Sequence, residues 1–481
     1  MNIYVKGHIS CYELEHVARL FYPKAAVGNA AHGAEVVAAR LSAHHMLAAV
    51  RLNGKCTVRL AKRDLSLNAK QLEYAHSLML FNLLCDVTAT RPAWGMLTGV
   101  RPVRLIHDMH RKNMPESEIE AFFKQKFLVS DEKYALAQKI AATQAGIIAK
   151  NKPRSYSLYI GIPFCPSRCS YCSFVSRTTA ESAALIQPYV DALCAEIEDI
   201  KATAERNKLT LETIYIGGGT PTSLTAKQLE TLMNKVAECF DLSAVSEYTV
   251  EAGRPDCTDF EKLCVIKNGG ATRISINPQT LSDNVLEAIG RKHTAQDILN
   301  CFADARKAGH TNINMDLIAG LPKDTVSGFE KSLDGVIALS PENITVHTLT
   351  LKRASSIVID NEADAYDDVA KMVSLSSKKL ADAGYAPYYL YRQKGTLQNL
   401  ENTGYTKSGS ECLYNIYIME EVHTILSAGA GGSTKLVKPG EKIARIFNYK
   451  YPLEYLSGAD EMHLRKKGVD DFYAKYFDMD T

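Results

Sequence analysis

From residue 155 to about residue 388 short apolar runs alternate with longer amphipathic stretches, and this alternation restricts the fold more than any other feature of the chain. The apolar runs lie at 157–162, 213–216, 248–251, 272–276, 312–317 and 343–349. Helix-period stretches follow at 184–206, 227–239, 260–267, 295–308, 325–338 and 365–383. A strand that is apolar on both faces and returns through a long amphipathic helix belongs to a parallel sheet covered by helices. Six such units with no obvious extra strand predict an α/β fold, an incomplete (β/α)6 parallel barrel open at one side.

The flanks read differently. Residues 1–150 form an α+β pattern: an extended stretch at 2–8, a helix at 12–20, strands near 46–52 and 56–60, and a helix at 71–84. No site is legible there, and WGMLTGVRPVRL at 94–105 reads as a turn around Pro102. The basic stretch from Lys150 to Arg154 reads as a linker. The expected domains are therefore 1–150, a barrel at 155–388, and a Tyr-rich, mainly helical C-terminal module at 389–481 that covers the barrel mouth, with a helical run near 415–426.

Charge and hydropathy narrow the partners. Lys and Arg total 56 against 54 Asp and Glu, so no global field points to nucleic acid or to an acidic membrane surface. The N-terminal residues lack a basic region followed by an apolar run, and no stretch approaches the ~20 apolar residues of a membrane span. The expectation is a cytoplasmic protein without a membrane span. Twelve cysteines in a reducing compartment argue against a disulfide framework and favour metal binding wherever cysteines cluster tightly.

One tight cluster exists, Cys165-Pro-Ser-Arg-Cys169-Ser-Tyr-Cys172, directly after the first predicted barrel strand. A short loop with three- and two-residue gaps can wrap three thiolates around three iron corners of a cubane, leaving the fourth iron without a protein ligand. Structural zinc needs four closed ligands, and no histidine lies between His110 and His293, so only a distant cysteine could complete such a site. Cys194, Cys239 and Cys301 sit in apolar helical contexts and read as buried thiols.

An iron corner without a protein ligand suits the amine and carboxylate of the methionine end of S-adenosylmethionine (SAM). After the second strand comes Gly217-Gly218-Gly219-Thr220-Pro221, where missing side chains let backbone groups approach a ligand; alone, this is a common turn. Glu251 ends the third strand, Gln279 follows the fourth, and Asp316 lies in the fifth. Each by itself reads as a solvated group or a cap. Their recurrence at successive strand ends makes a polar ring for an adenosyl ligand.

These segments resemble the oxygen-independent coproporphyrinogen III oxidases, or coproporphyrinogen dehydrogenases, of the radical SAM superfamily. The resemblance covers about residues 155–440 and rests on SLYIGIPFCPSRCSYCSF, IYIGGGTPTSL, YTVEAGRP, RISINPQTL, INMDLIAGLPKDT, LYRQKGTLQNLENTGY and LYNIYIMEE. The N-terminal module and the C-terminal wording look most like the family's longer branch. The resemblance implies a [4Fe-4S] cluster on Cys165, Cys169 and Cys172, and SAM contacts from Tyr159, Gly218 and Glu251. It implies a second SAM position lined by Tyr171, Gly219, Thr220, Gln279, Arg291 and Asp316, with Arg291 meeting a carboxylate and Tyr159, Glu251 and Arg291 standing nearest the chemistry.

The implied activity is conversion of two propionates of coproporphyrinogen III to vinyl groups, giving protoporphyrinogen IX in anaerobic heme biosynthesis. Implied partners are the tetrapyrrole and a low-potential electron donor such as flavodoxin or ferredoxin. Lys352, Arg353, Arg392 and Lys394 are the basic candidates for the propionates. Two positions depart from the best-known members: Gly161 stands where they carry His, and Phe174 where they carry a fourth cysteine. The family also contains heme-binding chaperones with an aromatic at the Phe174 position. A heme-binding or heme-transfer protein, and a radical SAM enzyme acting on another tetrapyrrole, are therefore the rival readings.

Overall fold

The computed structural model describes residues 1–99, 101–174, 176–350, 362–393, 399–438 and 443–477. They form two compact units, one of residues 1–138 with 391–401 and one of residues 139–390 with 402–481.

The first unit carries a five-stranded sheet in which Asn2–Lys6 lies between Ala26–Val27 and Val36–Leu41, followed outward by His45–Leu52 and Lys55–Lys62. The last two strands form a hairpin whose two-residue loop, Asn53-Gly54, has both residues at positive φ, the turn that matches strand twist. Helices Tyr12–Phe21 and Ala69–Thr88 contribute Leu14, Val17, Leu80, Phe81 and Leu84 to a core shared with Ile3, Val37 and Val50. The second helix starts with a reciprocal cap between Asn68 and Gln71. The segment read as a turn around Pro102 is instead the start of a helix, Pro102–Arg111. Proline at the first helical position loses no hydrogen bond, so a turn signal there is equally a helix-start signal.

The second unit is built on six parallel strands in sequential order: β1 (Ser155–Ile162), β2 (Thr210–Gly218), β3 (Glu247–Glu251), β4 (Arg273–Ser275), β5 (Ile313–Ala319) and β6 (Asn343–Thr348). Helices Thr179–Arg206, Ala226–Cys239, Phe260–Asn268, Ala295–Lys307, Val326–Leu339 and Glu362–Asp382 lie between or after them. Each strand alternates. Leu158 and Ile160, Ile214 and Ile216, Tyr248 and Val250, Ile274 and Ile276, Met315 and Leu317, Ile344 and Val346 are buried apolar residues of one parity. The other parity carries Tyr159, Tyr215, Glu251, Ser275, Asp316 and His347, a polar set gathered on the opposite face.

Among the described residues, five further strands from the C-terminal part of the chain join this sheet, where the sequence offered no obvious extra strand, with Ala386–Arg392 at the edge beside Glu401–Thr406. Thr424–Ala428 pairs in parallel with β1, and Glu401–Thr406 pairs antiparallel with β6. The helical run expected at 415–426 stops at Glu420, because Glu421 turns left-handed at φ 52° and the β-branched start of Thr424–Ala428 fits a pleated edge. Ser433–Leu436 and Ala444–Phe447 continue the sheet on that side. Among the described residues no helix is long and apolar enough to cross a membrane.

Candidate functional site

The cysteine loop leaves β1 through the short strand Phe164–Cys165, which pairs with Arg177–Thr178 and closes the loop at its base. Backbone bonds tie it to its neighbours: the Cys172 amide donates to the Cys169 carbonyl (3.1 Å) and the Ser170 amide to the Ile289 carbonyl (3.0 Å). Cys165 and Cys169 are buried and Cys172 is partly buried. Burial pushes the Cys165 and Cys172 thiols up, and the negative charge of the neighbouring cysteines pushes in the same direction. Such mutual repulsion is relieved by a shared cation, which is what a soft metal centre supplies. Among the described residues no three His, Cys, Asp or Glu side chains stand in positions to ligate one ion, so the loop brings the thiols near one another without closing them on a common centre. All twelve cysteines are free; of the three expected to be buried thiols, Cys301 is buried while Cys194 and Cys239 are only partly so.

The glycine run is what brings β2 against this loop. The Gly219 and Thr220 amides donate to the Ile162 and Phe164 carbonyls at 2.7 and 2.8 Å. A Cβ at Gly219 would stand 2.5 Å from the Phe164 carbonyl oxygen, and one at Gly217 would stand 2.9 Å from the Glu251 carboxyl carbon. Gly218 has φ +111°, which side chains rarely adopt. The Thr220 hydroxyl then reaches the Cys165 sulfur at 3.5 Å.

Glu251, at the end of β3, accepts a 2.6 Å hydrogen bond from the Tyr215 hydroxyl and one from the Gly218 amide, with no basic side chain beside it among the described residues. Burial, with Asp316 nearby, pushes its carboxyl up to about 7. Tyr215 stacks on Tyr414 at 4.5 Å between centroids, and Tyr159 lies 6.2 and 6.3 Å from the two rings. Tyr414 is delivered by the helix Leu413–Glu420, whose first amides donate to the buried Glu247 carboxylate. A carboxylate at a helix N-terminus is favourable, so β3 orients that helix directly.

Asp316 on β5 behaves oppositely. Its burial would raise it, but His347 at 3.6 Å and the Asn314 amide at 2.7 Å outweigh that and hold it below the usual range. Gln279 has φ 67° and is bracketed by the Asp316 carbonyl and the Ile318 amide. Arg291 is buried, donating to the Tyr171 hydroxyl (3.0 Å) and the Asn277 carbonyl (2.6 Å). Thr249 Oγ1, Ser275 Oγ, Asn277 Oδ1, Gln279 Oε1 and Arg291 Nε are buried without a hydrogen-bond partner. Each such atom costs about 1–3 kcal/mol, and five in one region fit a polar ligand rather than a packed core.

Strand order brings Tyr159, Gly218, Glu251 and Asp316 to one face, and the loops add Thr220, Gln279 and, around Cys169, Tyr171 with Arg291. Sequence reasoning missed Tyr215 and His347, which strand parity would have given, and Tyr414, which lies in the LYNIYIMEE segment but which no strand or helix periodicity places beside Glu251. It also missed Arg254 and Asp256, which follow β3 in the position where strand-end residues face ligands. Lys352, Arg353 and Lys394 lie outside the described residues. Arg392, expected to meet a propionate, makes protein contacts through Nε and Nη1 and leaves Nη2 buried without a partner among the described residues. Its guanidinium is buried 5.2 Å over the Trp94 ring and donates to the Leu97, Gly99 and Asn399 carbonyls.

At Gly161 a Cβ would meet the Ala428 and Ala430 carbonyl oxygens at 3.5 and 3.6 Å, so the seventh parallel strand borders the space a larger side chain would take. Phe174 is 66% exposed.

Residues 159–335 match the model of the radical SAM superfamily, whose members use a [4Fe-4S] cluster and SAM. The chain is 39% identical over 393 residues, covering 80% of its length and 78% of the relative, to the oxygen-independent coproporphyrinogen-III oxidase-like protein HemZ of Bacillus subtilis. It is 33% identical over 279 residues to the heme chaperone HemW of the same species, covering 57% of this chain and 70% of the relative. Among solved structures, coproporphyrinogen III oxidase (HemN) from Escherichia coli aligns with a TM-score of 0.50 at 24% identity, over 67% of this chain and 73% of that one, a likeness of fold. The cysteine loop, the open parallel barrel and the extent of the first of these matches together make this chain a member of the radical SAM superfamily, in the family of oxygen-independent coproporphyrinogen-III oxidase-like proteins.

Proposed function

We propose that the chain oxidatively decarboxylates coproporphyrinogen III, converting two propionates to vinyl groups to give protoporphyrinogen IX, with the cluster on Cys165, Cys169 and Cys172. The observation that carries the reading is Glu251, a carboxyl pushed up to about 7 beside a glycine cradle and a set of unpartnered buried polar atoms. A cationic ligand with an amino group would relieve that carboxyl, and SAM has both the charge and the amine. When bound, cluster and SAM supply a 5'-deoxyadenosyl radical able to take hydrogen from an unactivated carbon.

The chain's own residues orient and shield. Glu251, fixed by the Tyr215 hydroxyl and the Gly218 amide, receives the amino group, while Tyr159 and Gly218 border the same ligand. Arg291, anchored on Asn277 and Tyr171, offers its Nε to a carboxylate. Tyr171, Gly219, Thr220, Gln279 and Asp316 line a second ligand position beside it. With cluster and SAM bound, removal of the propionate β-hydrogen followed by loss of CO2 and transfer of one electron to an external one-electron acceptor would leave the vinyl group, and a low-potential one-electron donor would be needed for each turnover.

The test is anaerobic reconstitution of the full chain followed by product analysis with coproporphyrinogen III, SAM and a low-potential reductant. Protoporphyrinogen IX, CO2 and 5'-deoxyadenosine are expected. A second reading, heme handling, is favoured by the exposed Phe174 next to the cysteine loop and by the likeness to a heme chaperone. Stoichiometric heme binding without a vinyl product would replace the first reading with the second.

A further inference from the structure

Arg254 leaves β3 three residues after Glu251 and turns back under the cysteine loop, where it is 4% exposed. Its Nη1 donates to the Ser167 carbonyl at 2.8 Å and stands 3.7 Å from the Cys169 sulfur. Nη2 donates to the Ser167 hydroxyl at 2.9 Å, and Nε and Nη2 hold the Asp256 carboxylate at 3.0 and 2.6 Å. Arg291 also hydrogen-bonds the Cys169 thiol. Cys169 thus meets two buried guanidiniums, and Asp256, with a side chain 15% exposed, is the anion that offsets one of them; His293 Nδ1 lies 3.5 Å from it.

We propose that Arg254 is a positioning residue that sets the reduction potential of the cluster by donating to Cys169; this rests on the ligand assignment above. Two features distinguish this from a loop clamp. Holding Ser167 requires hydrogen bonds only, whereas the group used is a permanent cation whose Nε and Nη2 pair with Asp256 while Nη1 is left to Ser167 and the Cys169 sulfur. It is also aimed at the sulfur and not only at the backbone. A centre held by three thiolates gains negative charge when reduced, and an N–H donor with a positive charge at one sulfur stabilises that state and raises the potential. Asp256 works against this, so Arg254 and Asp256 form a pair with opposite effects on one property.

The experiment is a redox titration of the anaerobically reconstituted full chain without SAM, followed by the electron paramagnetic resonance signal of the reduced cluster, with iron counted in parallel. For Arg254→Gln the ratio of reduced to oxidised cluster at a fixed potential falls about tenfold, a shift of about 59 mV to more negative values for a one-electron couple. Asp256→Asn shifts the potential the opposite way. An Arg254→Gln protein with its full iron and the wild-type potential overturns the proposal. If that variant fails to hold iron, Asp256→Asn decides alone: a more positive potential supports the role, and an unchanged or more negative one ends it. Failure of the ligand assignment is recognised separately, because Cys169→Ala would then keep a wild-type cluster.

Discussion

Two glutamates of the barrel unit, Glu196 and Glu251, show how the same side chain serves fold or ligand. Glu196, in the helix Thr179–Arg206, is 7% exposed and collects four donors: the Gly429 amide at 2.7 Å, the Tyr455 hydroxyl at 2.6 Å, the Asn448 amide at 2.7 Å and the Lys466 ammonium. Glu251 has one hydroxyl and one amide. The first carboxylate is complete and ties the last strands and helices to the barrel. The second is short of partners where its neighbours are short of partners too. A buried charge that is fully paired marks architecture, and one left underpaired beside other unpaired groups marks a place for a ligand.

Replacing the cysteines tests the underpaired region most severely. The Cys165→Ala, Cys169→Ala and Cys172→Ala triple variant loses its iron and broad visible absorption after anaerobic reconstitution while keeping its far-ultraviolet circular dichroism. Four retained irons would remove the cluster from this loop. Next in size, Glu196→Ala leaves Lys466 buried without a counter-charge and lowers unfolding free energy by about 3–5 kcal/mol, measured by denaturant titration. A loss no greater than that of a surface substitution would erase the contrast between the two glutamates.

Glu251→Gln sharpens the contrast from the other side. SAM affinity drops by about tenfold or more, roughly 1.4 kcal/mol, while the fold is retained; calorimetry measures both. Its pH dependence follows from the direction of the shift. The folded carboxyl lies above its ordinary 4.5, at about 7, so its contribution to stability is fully present below the ordinary value and is lost as pH rises through 7. Ligand-free wild type should therefore be less stable than Glu251→Gln at pH 8, by roughly 2 kcal/mol after discounting for solvent access. The gap should close below pH 5. SAM affinity of the wild type should rise with pH across 7 and stay flat in the variant.

The smallest effect is expected from Tyr414→Phe. It keeps the ring stack and removes a hydroxyl that makes no bond to Glu251, so stability changes by less than about 1 kcal/mol, and a large loss of SAM affinity would show that the hydroxyl faces the ligand.

Local pattern in the sequence determined the six barrel strands and their helices, the position of the cysteine loop, and the placement of Glu251 at the end of β3 and Gln279 after β4, whereas Asp316, expected near a strand end, lies at the middle of β5. These follow from period-2 and period-3.6 alternation and from the rule that parallel strands present their C-terminal ends to ligands, all readable within a few residues. Only the tertiary structure decided that Thr424–Ala428 and Glu401–Thr406 extend the barrel sheet, that Tyr414 stacks on Tyr215, and that Arg254 reaches the cysteine loop. A strand edge left open by six units must be paired by whatever chain can reach it. Which segment does so depends on contacts about sixty residues apart at one edge and more than two hundred at the other, and no local alternation encodes those. The packing that surrounds Glu251 sets its charge in the same way: the carboxylate is written in the sequence, but its scarcity of partners exists only once Tyr215, Gly218 and Asp316 have closed around it.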